Sequence, residues 1–281
     1  MTSRASPTVR RRRLGIELRR LREQTGITID TVADRSGFSS SKVSRIETGH
    51  IGASPRDVRD ILAIYGVHGG DADELVQVAR QARQKGWWHL YGPLLTGAYV
   101  GLEAEASISK AYEAQLVPGL LQTPSYAERV IRAAKPDIAT DELSRRVELR
   151  MKRQTLLIQE EPLELWVVLD EAAIHRMVGS PEIMRGQLEH LLTTAALPNV
   201  TVQVLAFAAG AHAGMDGTFS ILEYTGTPDL DVVFAENAAG GLFLEKEDEL
   251  HRYKAIFTEV SASALSPEES AEMLADRARE L

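Results

Sequence analysis

The residues best suited to chemistry in this sequence form a short run of hydroxyls and cations. The run comprises Ser40, Ser41, Lys42, Ser44 and Arg45. Hydroxyl groups approach base edges closely in the DNA major groove, and an arginine guanidinium pairs bidentately with guanine. The set contains no large apolar side chain, so a helix face built from it suits contact with base pairs.

Two predicted helices joined by a tight turn present this face. Thr28 is expected to cap the first helix and Ser39 the second, because their hydroxyls accept hydrogen bonds from free backbone N–H groups. Gly37 stands where the first helix must end, a position that favours left-handed backbone. Val43 and Ile46, spaced i and i+3, predict the buried face of the second helix. This is the geometry of a helix-turn-helix with its recognition helix.

The surrounding residues resemble the repressor-type (XRE) helix-turn-helix domain over residues 14–66. The matching segments are LRRLREQTG at 18–26, TVADRSGFSSSKVSRIETG at 31–49 and SPRDVRDILAIYGV at 54–67. A further helix is predicted at 71–85 from its apolar spacing and its acidic start. The resemblance therefore implies a five-helix, lambda-repressor-like DNA-binding domain over residues 14–85.

Two positions within this resemblance carry specific expectations. Relatives have glutamine after the threonine that opens the second helix, where it contacts the DNA backbone or supports the recognition helix, but this chain has Ile29. The operator sequence therefore does not transfer from relatives. Relatives also pair an arginine near the end of helix 1 with a glutamate near the end of helix 3. The resemblance implies that Arg22 and Glu47 form this pair and fix the packing of the two helices.

Four consecutive arginines, Arg10, Arg11, Arg12 and Arg13, precede the predicted domain. Two interpretations are open. Such a run is often a solvated charge cluster at the start of a helix. Alternatively, residues 1–13 form a flexible basic arm that contacts phosphates or the minor groove, as homeodomain-type arms do. The adjoining helix-turn-helix favours the arm.

Composition separates the chain into a basic head and an acidic body. Residues 1–85 contain 16 Lys+Arg and 10 Asp+Glu, a net charge of +6, whereas residues 86–281 contain 16 and 30, a net charge of −14. A DNA-binding module joined to a module that does not bind DNA has this asymmetry. The chain has no cysteine, which excludes disulfides and thiolate metal sites and is typical of a cytoplasmic protein. No apolar run predicts a membrane span.

Residues 86–281 are predicted to form a larger mixed α+β domain, so that the chain is mainly α and α+β overall. Helices are predicted at 102–115, 125–134, 140–159, 170–177, 181–195, 245–259 and 267–280. Strands are predicted at 163–169, 200–207, 219–224 and 231–235, where Val, Leu and aromatic residues lie between turn residues. Residues 210–217 and 240–241 are predicted to be loops.

Two side-chain clusters in this region allow alternatives. Trp87, Trp88 and Tyr91 form either a ligand platform or an anchor between domains or subunits, and the anchor is favoured. The predicted helix 140–159 carries five cations, which either add DNA contacts or pair with nearby carboxylates. Because the surrounding domain is acidic, internal ion pairing is favoured.

A second resemblance covers most of the remaining chain. The segments that carry it are VPGLLQTPSYAERVI at 117–131, RRVELRMKRQ at 145–154, LDEAAIHRMVGSPEIMRGQLEHL at 169–191, NVTVQVLAF at 199–207 and FSILEY at 219–224. They resemble the domain of unknown function in actinobacterial WhiJ-type regulators, which pair it with the same helix-turn-helix. Members are described as antitoxin-like regulators that act with a small protein encoded nearby.

Motifs typical of enzymes are not found in the sequence. No histidines form H-x-H or H-E-x-x-H, and no Walker, G-x-S-x-G or dinucleotide-binding pattern occurs. Carboxylates near predicted strand ends are Asp170, Glu171, Glu223 and Glu236, but such positions are commonly acidic without catalysis. We therefore expect no catalytic residue, no metal and no cofactor.

The sequence predicts a sequence-specific transcriptional regulator that binds double-stranded DNA as a homodimer. Its DNA-binding residues would be Thr28, Ser39, Ser40, Ser41, Lys42, Ser44 and Arg45, with Arg10–Arg13 on the backbone. The acidic body would dimerise and sense a signal or partner. The alternative is an antitoxin-like protein that chiefly binds a small neighbouring-gene protein and uses DNA binding for autoregulation.

Overall fold

A computed structural model describes residues 7–82, 97–225, 230–237 and 240–281. Among these, residues 7–82 and 97–105 form one compact unit, and those from 106 to 281 form another. The aromatic cluster at 87–91 lies outside the described residues. No helix within the described ranges is both long enough and apolar enough to cross a membrane.

The first unit is a bundle of short helices around one small core. Its helices are α1 Pro7–Gln24, α2 Ile29–Ser36, α3 Ser40–Glu47, α4 Pro55–Ile64, α5 Gly70–Gln81 and α6 Gly97–Glu103. The buried core residues include Leu14, Leu18, Val32, Val43, Ile46, Val58, Ile61 and Leu62. They recur at helical spacing, so each helix turns one apolar stripe inward. Helices α1 to α5 agree with the predicted five-helix domain.

Two boundaries differ from the sequence prediction. Helix α1 begins at Pro7, so residues 7–13 are the start of a helix and not a flexible arm. Helix α6, which was assigned to the second domain, packs on α1 and belongs to the first unit. The buried side chains of Val100 and Leu102 explain this, because α6 places apolar surface against the bundle.

The second unit contains a mixed six-stranded sheet in the order β3-β2-β1-β4-β5-β6. Its strands are β1 Ile108–Glu113, β2 Glu164–Asp170, β3 Val200–Leu205, β4 Phe219–Glu223, β5 Val232–Asn237 and β6 Gly240–Leu244. Strands β1 to β3 are parallel, and β4 to β6 continue the sheet in antiparallel pairs. This confirms the mixed α+β class.

Six α-helices lie among the described residues of the second unit. They are α7 Pro124–Ala134, α8 Thr140–Arg153, α9 Glu171–His175, α10 Pro181–Ala195, α11 Glu247–Ser263 and α12 Pro267–Glu280. Hydroxyl caps and proline in the first turn start α7, α10 and α12, as at Thr123-Pro124. Helix α11 covers one sheet face through Phe257 and Val260, against Val168 and Ile221.

Two strands were not predicted. The predicted helix at 102–115 is wrong, because α6 ends at Glu103 and Ile108–Glu113 is the central strand β1. The predicted loop at 240–241 is also wrong, since both glycines lie in β6. There the Phe234 ring occupies the space that a side chain on Gly241 would need, and it packs 5.0 Å from the Phe243 ring. A neighbouring aromatic ring thus compensates for a strand glycine.

Candidate nucleic-acid interface

Helix α3 is anchored by its inner face and exposes its outer face. Val43 and Ile46 are 0% and 2% exposed, so both are fully in the core of the first unit. On the opposite side, Ser41 and Arg45 are exposed and Ser44 is half-buried. The apolar anchor and the polar face therefore occupy different positions of the same helix, as the i, i+3 spacing predicted.

The turn between α2 and α3 sets the angle at which the polar face is presented. Gly37 adopts φ 71°, ψ 18°, the left-handed conformation that favours glycine. The Ser39 hydroxyl then accepts a hydrogen bond from the Lys42 N–H at 3.1 Å. At the start of α2, the Thr28 hydroxyl accepts from the Thr31 N–H at 3.2 Å. The structure therefore gives both predicted cap residues a role in forming the helices.

Two of the predicted contact residues have partners inside the protein. The Ser40 hydroxyl donates to an Asp30 carboxylate oxygen at 2.6 Å, and both residues lie at the surface. Lys42 places its ammonium 3.4 Å from an Asp57 carboxylate oxygen and 3.4 Å from the centre of the Phe38 ring. Any DNA contact by these side chains would compete with, or add to, these interactions.

Sequence reasoning missed Asp30, because a carboxylate on α2 has no sequence signature that assigns it to a hydroxyl ten residues later. Only the packing of α2 on α3 brings Asp30 to Ser40.

Arg45 differs from its neighbours in its surroundings. Its side chain is exposed, and no carboxylate among the described residues lies within 4 Å of its guanidinium. Ser41 is likewise exposed on the same helix. A planar guanidinium offers five N–H donors in a fixed fork, which suits bidentate pairing with a guanine edge.

The arginine run at 10–13 lies in a helix and not in the predicted flexible arm. Arg12 is only 6% exposed, and its Cα and Cγ lie 3.0 Å from the place a side chain on Gly49 would occupy. Arg11 is half-buried, and burial lowers its pKa. These cations therefore pack beside the carbonyl end of α3, where positive charge is favourable. The flexible-arm expectation is wrong because these arginines lie within α1, where Arg12 is buried, Arg10 and Arg11 are half-buried and Arg13 is exposed.

A sequence signal for this helix start was available. Ser6 followed by Pro7 is the pattern of a helix N-terminus, because serine caps and proline fits the first turn. The four arginines then fall within the first three turns of α1.

The pair implied by the family resemblance holds the back of the recognition helix. Arg22 donates from Nε and Nη2 to the two carboxylate oxygens of Glu47, at 2.7 and 3.0 Å. Arg22 also donates to the Ile27 carbonyl, and the Tyr65 hydroxyl donates to Glu47. These hydrogen bonds raise the pKa of Arg22, and burial raises the pKa of Tyr65. The expectation that this pair fixes the packing of α1 on α3 is confirmed.

The position that departs from the family pattern also faces inward. Ile29 packs against the core of the first unit. An isoleucine there adds apolar contact, whereas a glutamine would supply a hydrogen-bonding group at the surface.

In the second unit, three of the four carboxylates noted near strand ends, Asp170, Glu171 and Glu223, have partners of their own. Asp170 caps α9 and accepts a hydrogen bond from the Tyr112 hydroxyl at 3.2 Å. Glu171 accepts from the Phe207 N–H at 2.7 Å, and Glu223 forms ion pairs with two lysines. Each therefore has a structural function at its place in the sheet.

Comparison with known families agrees with this division. A family described as a helix-turn-helix domain matches residues 13–75. A family described as a domain of unknown function (DUF5753) matches residues 96–276. No curated protein and no solved structure matches the chain. The first match indicates DNA binding and transcription regulation and points to a regulator more than to an enzyme.

Proposed function

We propose that this protein is a sequence-specific transcriptional regulator. The premise is that the chain belongs to the DUF5753 family and carries a helix-turn-helix domain before the residues that match this family. The observation that carries this proposal is the outer face of α3. The face is firmly anchored from behind, and it presents Arg45 and Ser41 to solvent.

Within this proposal, Arg45 reads a guanine and Ser41 and Ser44 approach neighbouring base edges. Ser40 and Lys42 contribute after exchanging their contacts with Asp30 and Asp57. Thr28 and Ser39 position the two helices through their caps, and their hydroxyl protons remain able to reach a phosphate. Arg13 replaces the arginine arm as a source of phosphate contacts.

The proposed regulator acts as a homodimer in the cytoplasm. Two recognition helices related by a twofold axis would bind half-sites about one helical turn apart, roughly 10 base pairs between centres. The operator is then a near-palindrome. The resemblance of both regions to actinobacterial WhiJ-type regulators supports this assignment, and the signal would be received by the second unit.

The proposal is tested by selecting operators and then changing Arg45. Chromosomal binding sites, or sites selected from random DNA, are expected to contain the near-palindrome. Arg45→Ala is expected to weaken operator binding by roughly 1–3 kcal/mol and to relax the preference at one base pair in each half-site. Fluorescence anisotropy at one fixed salt concentration measures both effects.

The matched control is Arg80→Ala, which removes one exposed cation from α5 of the same unit. It is expected to leave the base preference unchanged. An Arg45→Ala protein that loses equal affinity for operator and random DNA would contradict the base-reading role of Arg45.

A second candidate is the antitoxin-like protein whose main role is to bind a small protein encoded nearby. The observation that favours it is the surface of the acidic unit, where Phe207 and Met215 are 59% and 70% exposed. Exposed large apolar side chains on a charged surface are typical of protein-binding sites. Co-expression with the products of adjacent genes, followed by co-purification, tests it.

A further inference from the structure

The two edges of the six-stranded sheet are finished in different ways. Strand β3 forms one edge, and the start of α12 lies against it. The Val204 N–H donates to the Ser270 hydroxyl at 2.8 Å, and the Val204 carbonyl accepts from the Leu265 N–H at 2.9 Å. Ser270 itself is 0% exposed. Backbone groups at this edge therefore have their partners within the same chain.

Strand β6 forms the other edge, which has no comparable cover in the described part of the chain. One side of β6 pairs with β5 in a continuous antiparallel register, from Val233 opposite Leu244 to Asn237 opposite Gly240. Beyond that ladder, no backbone hydrogen bond reaches residues 241–244 from any residue that the structure describes. The outer side of β6 therefore exposes N–H and C=O groups that can pair with a further strand.

The sequence of β6 does not protect this edge. Sheet edges in natural proteins are commonly blunted by charged side chains, by proline or by a bulge. Residues 240–244 read GGLFL and contain neither a charge nor a proline. The pairing with β5 also runs without a bulge. A regular, uncharged edge strand of this kind is suited to pairing with another strand.

Leu242 places an apolar side chain at the middle of the same edge. It lies opposite Ala235, and it is 53% exposed. Leu244 is on the same face of the strand, two residues further on, and it packs against the core that α11 covers. The centre of β6 thus keeps a large apolar group in contact with water, directly beside the unpaired backbone.

A second copy of the chain fits this edge better than a charged partner strand does, because residues 240–244 offer no counter-charge. Antiparallel pairing about a twofold axis at Leu242 aligns the five residues of both strands along their whole length. The two Leu242 side chains then lie directly opposite each other, where cross-strand pairs are in contact. The same pairing separates the Glu245 side chains that follow the strands, whereas parallel pairing would put these like charges side by side.

We propose that β6 is the dimerisation surface of this protein. Two copies join by antiparallel pairing of residues 240–244, and their six-stranded sheets become one sheet of twelve strands. Open sheets of 8–15 strands occur in large α/β proteins. The inference rests on the homodimer of the proposed function and gives that dimer an interface of twofold symmetry. It depends on the second unit alone, whether or not α3 reads DNA.

The test measures the mass of the full chain in solution, without DNA, by analytical ultracentrifugation over a concentration series. The unchanged protein is expected to form a dimer. Leu242→Lys is expected to weaken that dimer at least tenfold, because two cations then lie directly opposite each other across the axis. Thermal unfolding of the same samples checks that the variant is folded, as expected for a substitution at an exposed side chain.

A pair of opposite substitutions locates the axis. Leu242→Glu is expected to weaken the dimer as Leu242→Lys does. An equimolar mixture of the two variants is expected to dimerise at least tenfold more tightly than either variant alone, because opposite charges then face each other. If either variant fails to fold, amide hydrogen exchange of the unchanged protein decides the outcome. Amides of residues 240–244 are expected to exchange more slowly as the protein concentration rises.

The matched control is Ile158→Lys, which changes a 72% exposed aliphatic side chain outside the sheet. It is expected to leave the dimer unchanged. A dimer that persists in Leu242→Lys, or a mixture that shows no rescue, would overturn β6 as the interface and leave the homodimer itself standing. An unchanged protein that stays monomeric at every concentration would overturn both, while operator binding by Arg45→Ala would still test base reading separately.

Discussion

A single carboxyl group, that of Glu113, is expected to give the second unit a pH dependence. Glu113 ends β1, where burial and the nearby Glu236 raise its pKa to about 8. Arg150 and the Thr218 hydroxyl oppose this shift only in part. The folded protein therefore keeps a proton that the unfolded chain releases near pH 4.5.

This retained proton makes the folded state less stable at higher pH. Between pH 4.5 and 8 the unfolded state binds fewer protons than the folded state, so the free energy of unfolding falls as pH rises. The stability that Glu113 contributes through its bound proton is fully present below pH 4.5 and is lost as the pH rises toward 8. In the unchanged protein we expect the free energy of unfolding to fall by on the order of 2 kcal/mol between pH 5 and 8 because of Glu113. In Glu113→Gln this fall should be absent. Urea unfolding in phosphate-free buffers measures it.

The control for this prediction is Glu128→Gln, whose parent carboxylate pairs with Arg132 on the surface of α7. It should reproduce the pH profile of the unchanged protein. A Glu113→Gln profile as steep as that of the parent would contradict the assignment.

Among single residues, the sequence alone identified those whose role depends on residues next to them in the chain. Ser39 and Gly37 act as predicted, because capping and turn geometry depend on a few consecutive residues. The sequence did not predict the burial of Arg12 or the hydrogen bond between Asp30 and Ser40. Both depend on how the helices pack against one another.

At the scale of elements, the contact between α1 and α3 depends on one glycine. A Cβ on Gly15 would lie 2.5 Å from the Ile46 carbonyl oxygen and 2.6 Å from the Glu47 carbonyl oxygen. Both neighbours are backbone atoms. They cannot move aside as the end of a long, flexible side chain could. Gly15 therefore permits the close approach that the Arg22–Glu47 pair then fixes.

We expect Gly15→Ala to destabilise the first unit by about 1–3 kcal/mol, because α1 must move away from α3. Gly70→Ala is the matched control, since a Cβ there meets nothing within 4 Å at the start of α5. Its effect should be near zero or stabilising by up to about 1 kcal/mol. Thermal unfolding compares the two, and equal stabilities would show that α1 and α3 can separate without cost.

Elements with clear apolar periodicity and caps were predicted well from sequence. Helices α10 and α12 have the predicted bounds, because each begins with serine and proline and keeps one buried stripe. Strand β1 was missed since it is short and contains polar residues such as Ser109 and Lys110, and it follows α6 with few turn signals. Strand β6 was missed because its two glycines are typical of a loop, and only the Phe234 ring explains them.

At the scale of the whole molecule, charge separates the two units. Residues 1–105 carry a net charge of +4, since residues 86–105 add only Glu103 and Glu105 to the +6 of residues 1–85. The full chain carries −8. The acidic part therefore lowers the attraction of the whole protein for phosphate while the recognition face stays basic.

We expect a fragment of residues 1–105 to bind random DNA more tightly than the full chain at low salt. The difference should shrink as salt screens the acidic unit, because the Debye length falls from about 30 Å at 0.01 M to about 8 Å at 0.15 M. Anisotropy across a salt series measures it. A difference that persists unchanged at high salt would point to steric occlusion in place of charge.

The same fragment separates the two candidate functions. A small neighbouring-gene protein that co-purifies with the full chain, but not with residues 1–105, would support the antitoxin-like role. Retained co-purification with the fragment would place the partner on the first unit.

The divided surface of α3 has a consequence for how such regulators diversify. Val43, Ile46 and Glu47 are buried and support the fold, whereas the residues proposed to face DNA are Ser41, Ser44 and Arg45, which are exposed or half-buried. No position belongs to both sets. Target preference is therefore free to drift during evolution, or to be rewritten by an engineer, while the scaffold that carries it stays the same.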